Sequence, residues 1–345
     1  MGHGRQRLPA GEEIPRLGRF SSVFAKKPVT ILGVPFGLGG SRPGASLGPD
    51  AIRFASLVNQ LSLLAEVEDC GNVVTAPIGG ATSDGNGIRN FEVAFESLRQ
   101  TRPRVDEVLG RGRVPVVLGG DHSLSIATVS AAVGSAEEVG LLWIDAHADL
   151  NTPDTSPSGN LHGMSVAALL GLPCESHHPG SAAWKRIQQE IVAGNHLKHE
   201  QVVWLGLRDL DPGERERIIQ TDIRRAITMY EIDHFGLEAM MEHAAGYLER
   251  AGVRNLWISL DVDVLDPLIA PGTGTGVRGG LTYREMHLLA EFLYELVGRQ
   301  TSPFDLIGVD VVEVNPPLDR QNETARLATE WLCSLFGKRI LPRWV

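Results

Sequence analysis

The sequence predicts an α/β protein built on a mainly parallel sheet. Three observations carry this reading: six short segments are too continuously apolar for a sheet with one wet face, stretches of amphipathic helical period lie between them, and Gly/Pro-rich turns separate the two kinds of segment. A strand that is apolar throughout must be covered on both faces, the condition of a parallel sheet flanked by helices. Strands alternating with helices are joined by right-handed crossovers, and in such sheets ligands gather beyond the carboxyl ends of the strands.

In chain order, strands are expected at 29–34, 114–118, 141–144, 202–207, 255–260 and 306–312, and helices include 124–133, 237–251, 283–297 and 323–336. Thr282 and Glu285 have the spacing of a capping box that would start the third of these helices. The polar stretch 173–199 holds a short helical segment, 182–192, and reads as an excursion within one domain. The length of 345 residues would allow two domains. No linker or internal repeat divides the chain, so a flexible polar tail over 1–27 and a single domain over 28–345 are expected.

Composition narrows the class. Lys and Arg number 32 against 42 Asp and Glu, a formal charge of -10, and no basic stripe is present to neutralise phosphates, so nucleic acid is not an expected partner. A cationic small molecule suits this balance better. No run approaches the roughly 18 apolar residues of a membrane span. The three cysteines, Cys70, Cys174 and Cys333, are far apart and fit neither a disulfide framework nor a thiolate metal site, which points to a reducing, cytoplasmic setting. Cys174 and Cys333 read as small buried residues, and Trp143, Trp184, Trp204 and Trp257 as core. His177, His178, His196, His199 and His234 have no carboxylate at ligand spacing and read as ordinary exposed side chains.

The chemistry is concentrated at three strand ends, in the segments Gly119-Gly120-Asp121-His122-Ser123, Asp145-Ala146-His147-Ala148-Asp149 and Asp261-Val262-Asp263. In extended backbone, side chains two apart share a face, so Asp145, His147 and Asp149 would converge, as would Asp261 and Asp263. With His122 this makes six ligand-type residues. Four carboxylates gathered at the end of a buried sheet require neutralisation, because like charges in a low-dielectric site otherwise force protonation. Two divalent cations balance four aspartates, with two neutral imidazoles completing the set. Oxygen and imidazole donors without sulfur suit Mn²⁺. Two such ions about 3.5–4 Å apart would bridge a water and lower its pKa to give a hydroxide, which implies hydrolysis. Gly119 and Gly120 would let the chain turn sharply beside the metals, although an ordinary loop turn accounts for them equally well.

The motifs GGDHS at 119–123, DAHADLN at 145–151, SLDVDVLDP at 259–267 and EVNP at 313–316 resemble those of the ureohydrolases, the manganese-dependent family of arginase and agmatinase. The resemblance runs from about Val29 to the C-terminus, more loosely over 40–49 than at the metal motifs. It implies a three-layer α/β/α sandwich with about eight strands and two Mn²⁺ per subunit. By it, His122, Asp145, Asp149 and Asp261 would hold one ion, and His147, Asp145, Asp261 and Asp263 the other. It also implies a homotrimer or homohexamer.

Two loops bear on the substrate. Residues 151–163 are dense in hydroxyls and amides, which suit an α-carboxylate, and 208–214 carry acids, which suit an α-ammonium. Both are similar to arginase segments: Asn151, Ser156, Ser158 and Asn160 fall at the positions that read the carboxylate end, and Asp211 and Glu214 at those that read the amino group. Glu313 matches the acid that orients the guanidinium, and His162 the histidine that shuttles protons. The activity so implied is hydrolysis of L-arginine to L-ornithine and urea by a metal-bridging hydroxide hydrogen-bonded to Asp149. The alternatives are an agmatinase or another guanidino-compound amidinohydrolase and, in a different class, a non-catalytic regulatory protein of the same fold.

Overall fold

A computed structural model describes residues 27–75, 87–298 and 302–340. Most of the expected N-terminal tail, residues 1–26, lies outside the described residues. Among them are eight strands, β1 Val29–Val34, β2 Val67–Asn72, β3 Val114–Gly119, β4 Val139–Ile144, β5 Val202–Leu207, β6 Ala226–Thr228, β7 Asn255–Asp261 and β8 Asp305–Val312. They form one sheet in the order β2-β1-β3-β8-β7-β4-β5-β6, and every pairing is parallel.

The period-2 alternation of the buried strands divides the core in two. Leu142 and Ile144 of β4 face one cluster, with the helices Leu237–Arg250, Tyr283–Gly298 and Glu323–Leu335; Leu141 and Trp143 face the other, with Phe91–Gly110 and Ser125–Ser135. The architecture is therefore a three-layer α/β/α sandwich. The six anticipated strands are all present, and the expected capping box forms: Thr282 N–H donates to Glu285 Oε2 at 2.7 Å and Glu285 N–H to Thr282 Oγ1 at 3.3 Å. The helix expected at 182–192 is α-helical over Ser181–Arg186 and widens to a π-turn over Ile187–Val192. No helix among the described residues is long and apolar enough to cross a membrane.

This topology places the carboxyl ends of β3, β8, β7 and β4 side by side at the centre of the sheet. The turn after β3 is tight. A Cβ on Gly120 would lie 1.5 Å from the Phe36 carbonyl oxygen, so only glycine fits where the chain crosses the segment that follows β1.

Candidate active site

All six ligand-type residues meet at these strand ends. His122 Nδ1 lies 3.0 Å from Asp145 Oδ2 and 3.3 Å from both Asp149 Oδ2 and Asp261 Oδ2. His147 Nδ1 lies 3.0 Å from Asp263 Oδ2 and 3.3 Å from Asp145 Oδ1. Two groups that could hold a metal ion result, His122/Asp145/Asp261 and Asp145/His147/Asp263, and Asp145 belongs to both.

The route to this convergence is not the extended alternation expected from the spacing. Residues past Ile144 leave the strand, and Val262–Val264 is a turn of 3-10 helix. Each aspartate at a strand end folds the chain back by accepting the N–H two residues on: Asp121 from Ser123 at 3.1 Å, Asp145 from His147 at 2.7 Å and Asp261 from Asp263 at 2.7 Å. These are Asx-turns. Asp145 thus uses Oδ1 to shape its turn while Oδ2 faces His122, so turn former and ligand are one residue. Asp149 reaches the cluster by adopting φ 51°, and Glu313 enters the site at φ 64°. Left-handed backbone in non-glycine residues is held only where the surrounding structure enforces it, and such positions gather at functional sites.

The donor set fits a metal. His122 Nδ1 and Asp145 Oδ2 are buried, face each other, and have no hydrogen-bond partner. The far side of the imidazole is fixed: Nε2 meets Ser259 Oγ at 2.8 Å, Ser259 donates to Asp310, and the ring stacks on Trp143 with centroids 3.8 Å apart. Burial and mutual repulsion raise the carboxyl pKa values of Asp149, Asp261 and Asp263. Asp145 is also buried, but its contacts with both imidazoles outweigh that and lower its pKa. His122 and His147 are correspondingly raised against the effect of their burial. Protons therefore stand where divalent cations would otherwise balance the charge.

Beside the cluster is a cavity of about 140 Å³ lined by His147, Asp149, Asn151, Ser156, Ser158, His162, Asp211, Glu214, Asp261 and Thr275 among others. Asn160 is buried and does not line this cavity; its N–H donates to Ser158 Oγ at 3.2 Å. Asp211 caps the helix Pro212–Thr221, accepting from Glu214 N–H at 3.0 Å, and its Oδ2 accepts from Asn151 Nδ2. Glu214 is turned inward: Oε1 accepts from Leu150 N–H at 3.1 Å, Oε2 accepts from Asp211 N–H at 3.2 Å, and burial pushes its carboxyl up to about 7. His162 Nδ1 meets Glu313 Oε1 at 3.0 Å; burial opposes its charge, but Glu313 prevails and lifts the imidazole to about 9. Glu313 Oε1 also accepts from His122 N–H at 2.9 Å.

The sequence reading missed several residues that support this site. Thr275 donates to Asp263 Oδ2 at 2.7 Å, and Asp310 accepts from Thr128 at 2.8 Å and Trp257 at 2.9 Å. The usable signal was a Ser and an Asp inside the apolar strands β7 and β8, since polar groups buried on both faces must be paired. Trp143 and Trp257 are core residues as expected, yet each also contacts this network. Cys333 is buried but Cys174 is only half-buried, and His178 and His199 are half-buried, His199 against Arg225. A larger apolar groove of about 660 Å³ lies elsewhere, among Ile218, Ile219, Ile223 and Phe235.

An α/β/α sandwich with paired imidazole–carboxylate groups at the carboxyl ends of its central strands defines an α/β metallohydrolase class of site. The family model "Arginase family" matches residues 27–337, and the chain belongs to this family. It is 41% identical to the arginase of Bacillus caldovelox over 320 residues, covering 91% of this chain and 100% of the relative. It is 38% identical to the arginase of Staphylococcus aureus (strain MRSA252), covering 92% and 99%. The solved structure of the B. caldovelox arginase superposes with a TM-score of 0.80 at 39% identity, over 91% of this chain and 100% of that one. As the family implies, the chain is a hydrolase of guanidino or amidino compounds.

Proposed function

We propose that the chain is an arginase, hydrolysing L-arginine to L-ornithine and urea with two Mn²⁺ per subunit. The observation that carries this reading is Asp145, shared by two imidazole–carboxylate groups beside a cavity walled by Asn151, Ser156, Ser158 and Asp211. On this reading His122, Asp145, Asp149 and Asp261 hold one ion, and His147, Asp145, Asp261 and Asp263 the other. When bound, the ions lower the pKa of a water and stabilise charge developing at the guanidinium carbon.

The protein's own groups do the rest. Asn151, Ser156 and Ser158, with Asn160 supporting them, hydrogen-bond the α-carboxylate, and Asp211 takes the α-ammonium. The inward turn of Glu214 makes it a support for Asp211 in this scheme. Glu313, with Oε1 occupied by His122 N–H and His162, uses Oε2 to orient the guanidinium. Water oxygen adds to the guanidinium carbon, the C–Nε bond breaks, and both water protons end on the leaving amine. Asp149 carries one of these protons to the departing nitrogen, and His162 delivers its own proton there and is restored by the second water proton.

Residues 28–345 act as one catalytic domain in this reading, in a cytoplasmic homotrimer or homohexamer; light scattering after size exclusion tests the assembly. The decisive experiment compares urea release from L-arginine and from agmatine, with and without Mn²⁺. Manganese-dependent urea from L-arginine is expected. Preference for agmatine would make the chain an agmatinase, and absence of both urea and bound manganese would favour a non-catalytic protein of the same fold.

A further inference from the structure

Arg217 stands on the helix Pro212–Thr221, three residues beyond Glu214 and so on the same helical face. Its guanidinium forks. Nη1 donates to the Leu150 carbonyl at 2.5 Å, and Nη2 donates to Thr152 Oγ1 at 2.7 Å. The Leu150 N–H is meanwhile held by Glu214 Oε1 at 3.1 Å, so both polar groups of one peptide residue are gripped by one helix. Between the two acceptors of Arg217 lies Asn151, whose amide donates to Asp211 at the start of that helix.

We propose that Arg217 is a positioning residue for substrate recognition: it joins the segment that reads the α-carboxylate to the helix that reads the α-ammonium, and so sets the distance between those two subsites. This rests on the reading of both segments given under the proposed function. The chemistry suits arginine at position 217, because a planar fork satisfies two acceptors at fixed separation, whereas an ammonium is a single point of contact. Thr152 is buried, and the turn itself is closed by Thr155, whose hydroxyl accepts from Thr152 N–H at 3.0 Å and donates to Asn151 Oδ1 at 2.8 Å; what Arg217 adds is the tie between this turn and the helix.

The test uses the full-length, manganese-loaded protein and two substrates, L-arginine and n-butylguanidine, which lacks both groups of the amino-acid end. Arg217→Met keeps the aliphatic stem and removes the fork. Its KM for L-arginine is expected to rise about tenfold, the scale of a small misplacement of recognition groups. Its kcat for L-arginine, its bound manganese and its KM for n-butylguanidine should remain near wild type. Arg217→Lys should recover part of the loss, and Thr152→Val, which deletes one acceptor without touching the helix, should reproduce part of it. An unchanged KM for L-arginine in both Arg217→Met and Thr152→Val overturns the proposal, as does an equal rise for the two substrates. Should Arg217→Met fail to fold, Thr152→Val decides alone by the same criteria. If wild-type protein itself releases no urea from L-arginine, the failure belongs to the proposed function and not to Arg217.

Discussion

His122 Nε2 lies 2.8 Å from Ser259 Oγ, and the direction of that contact is set by Asp310 on the neighbouring strand. Asp310 is fully buried and receives donors from Thr128, Trp257 and Ser259, so its carboxylate only accepts. Ser259 must then accept from His122 Nε2–H, so the proton given up on metal binding is the one on Nδ1, whose lone pair then faces Asp145, Asp149 and Asp261. Lone pair facing carboxylates is an arrangement that a cation completes.

Asp310→Asn should reverse this relay. The oxygen that serves both Thr128 and Trp257 stays an oxygen, so the new amide NH₂ faces Ser259, which then donates to His122 and drives the imidazole proton to Nδ1. Manganese affinity is expected to fall about 10- to 100-fold. Titration of free Mn²⁺ by electron paramagnetic resonance measures it, with thermal unfolding of the metal-free variant as the check on folding. Unchanged affinity in a folded variant would refute the relay.

Manganese binding should strengthen as pH rises. Without cations, Asp149, Asp261 and Asp263 have pKa values raised by burial and repulsion, and His122 and His147 are raised by the carboxylates around them despite their burial. Each proton held by these groups must leave before a metal takes its place, so affinity grows with pH up to the point where the cluster is deprotonated. Metal content after dialysis at about pH 5.5 and about pH 8 is the measurement, and equal content at limiting manganese would contradict it.

The fold was legible where burial on both faces left a continuous apolar signature, as in β3, β4, β5 and β8. It was not legible at the two edges. Strand β2, Val67–Asn72, is half-exposed and carries Glu68 and Asp69, while β6, Ala226–Thr228, has only three residues. At the site, ligand types stood out because acids and histidines are out of place beside apolar strands. Their geometry did not, since D-x-H and D-x-D spacing is equally that of a strand face and of an Asx-turn, and only the chain's actual path decides. Glu214 illustrates a second limit: an acid beside a substrate loop and an acid holding that loop's backbone look alike in one dimension.

His162→Ala should lower kcat by about 10²–10⁴, the range for loss of a positioned proton-transfer group, while leaving manganese content unchanged. A fully active variant would remove His162 from the mechanism. The His162–Glu313 pair also has a stability signature. The imidazole is raised from its ordinary value to about 9, so the contribution of the pair is complete below about pH 6.5 and is lost as pH rises through about 9. Comparing the pH dependence of thermal unfolding between wild type and Glu313→Gln, both metal-free, should show a larger loss in wild type over that interval, the loss from His122 and His147 being common to both.

Asp211 has two duties that one substitution must separate. It caps the helix Pro212–Thr221 through Oδ1 and presents a carboxylate to the cavity beside Asn151. Asp211→Ala removes both, and loss of the cap alone costs about 1 kcal/mol of stability. Asp211→Ser keeps a hydroxyl able to accept from Glu214 N–H but discards the charge, so its stability should stay nearer wild type than that of Asp211→Ala. If the carboxylate reads the α-ammonium, Asp211→Ser raises the KM for L-arginine far more than that for 4-guanidinobutyrate, which has the carboxylate and guanidinium but no amino group. Equal effects on the two substrates would mean that Asp211 acts only by holding the helix start and Asn151 in place, and the amino-recognition role would then have to lie with another acid of the cavity.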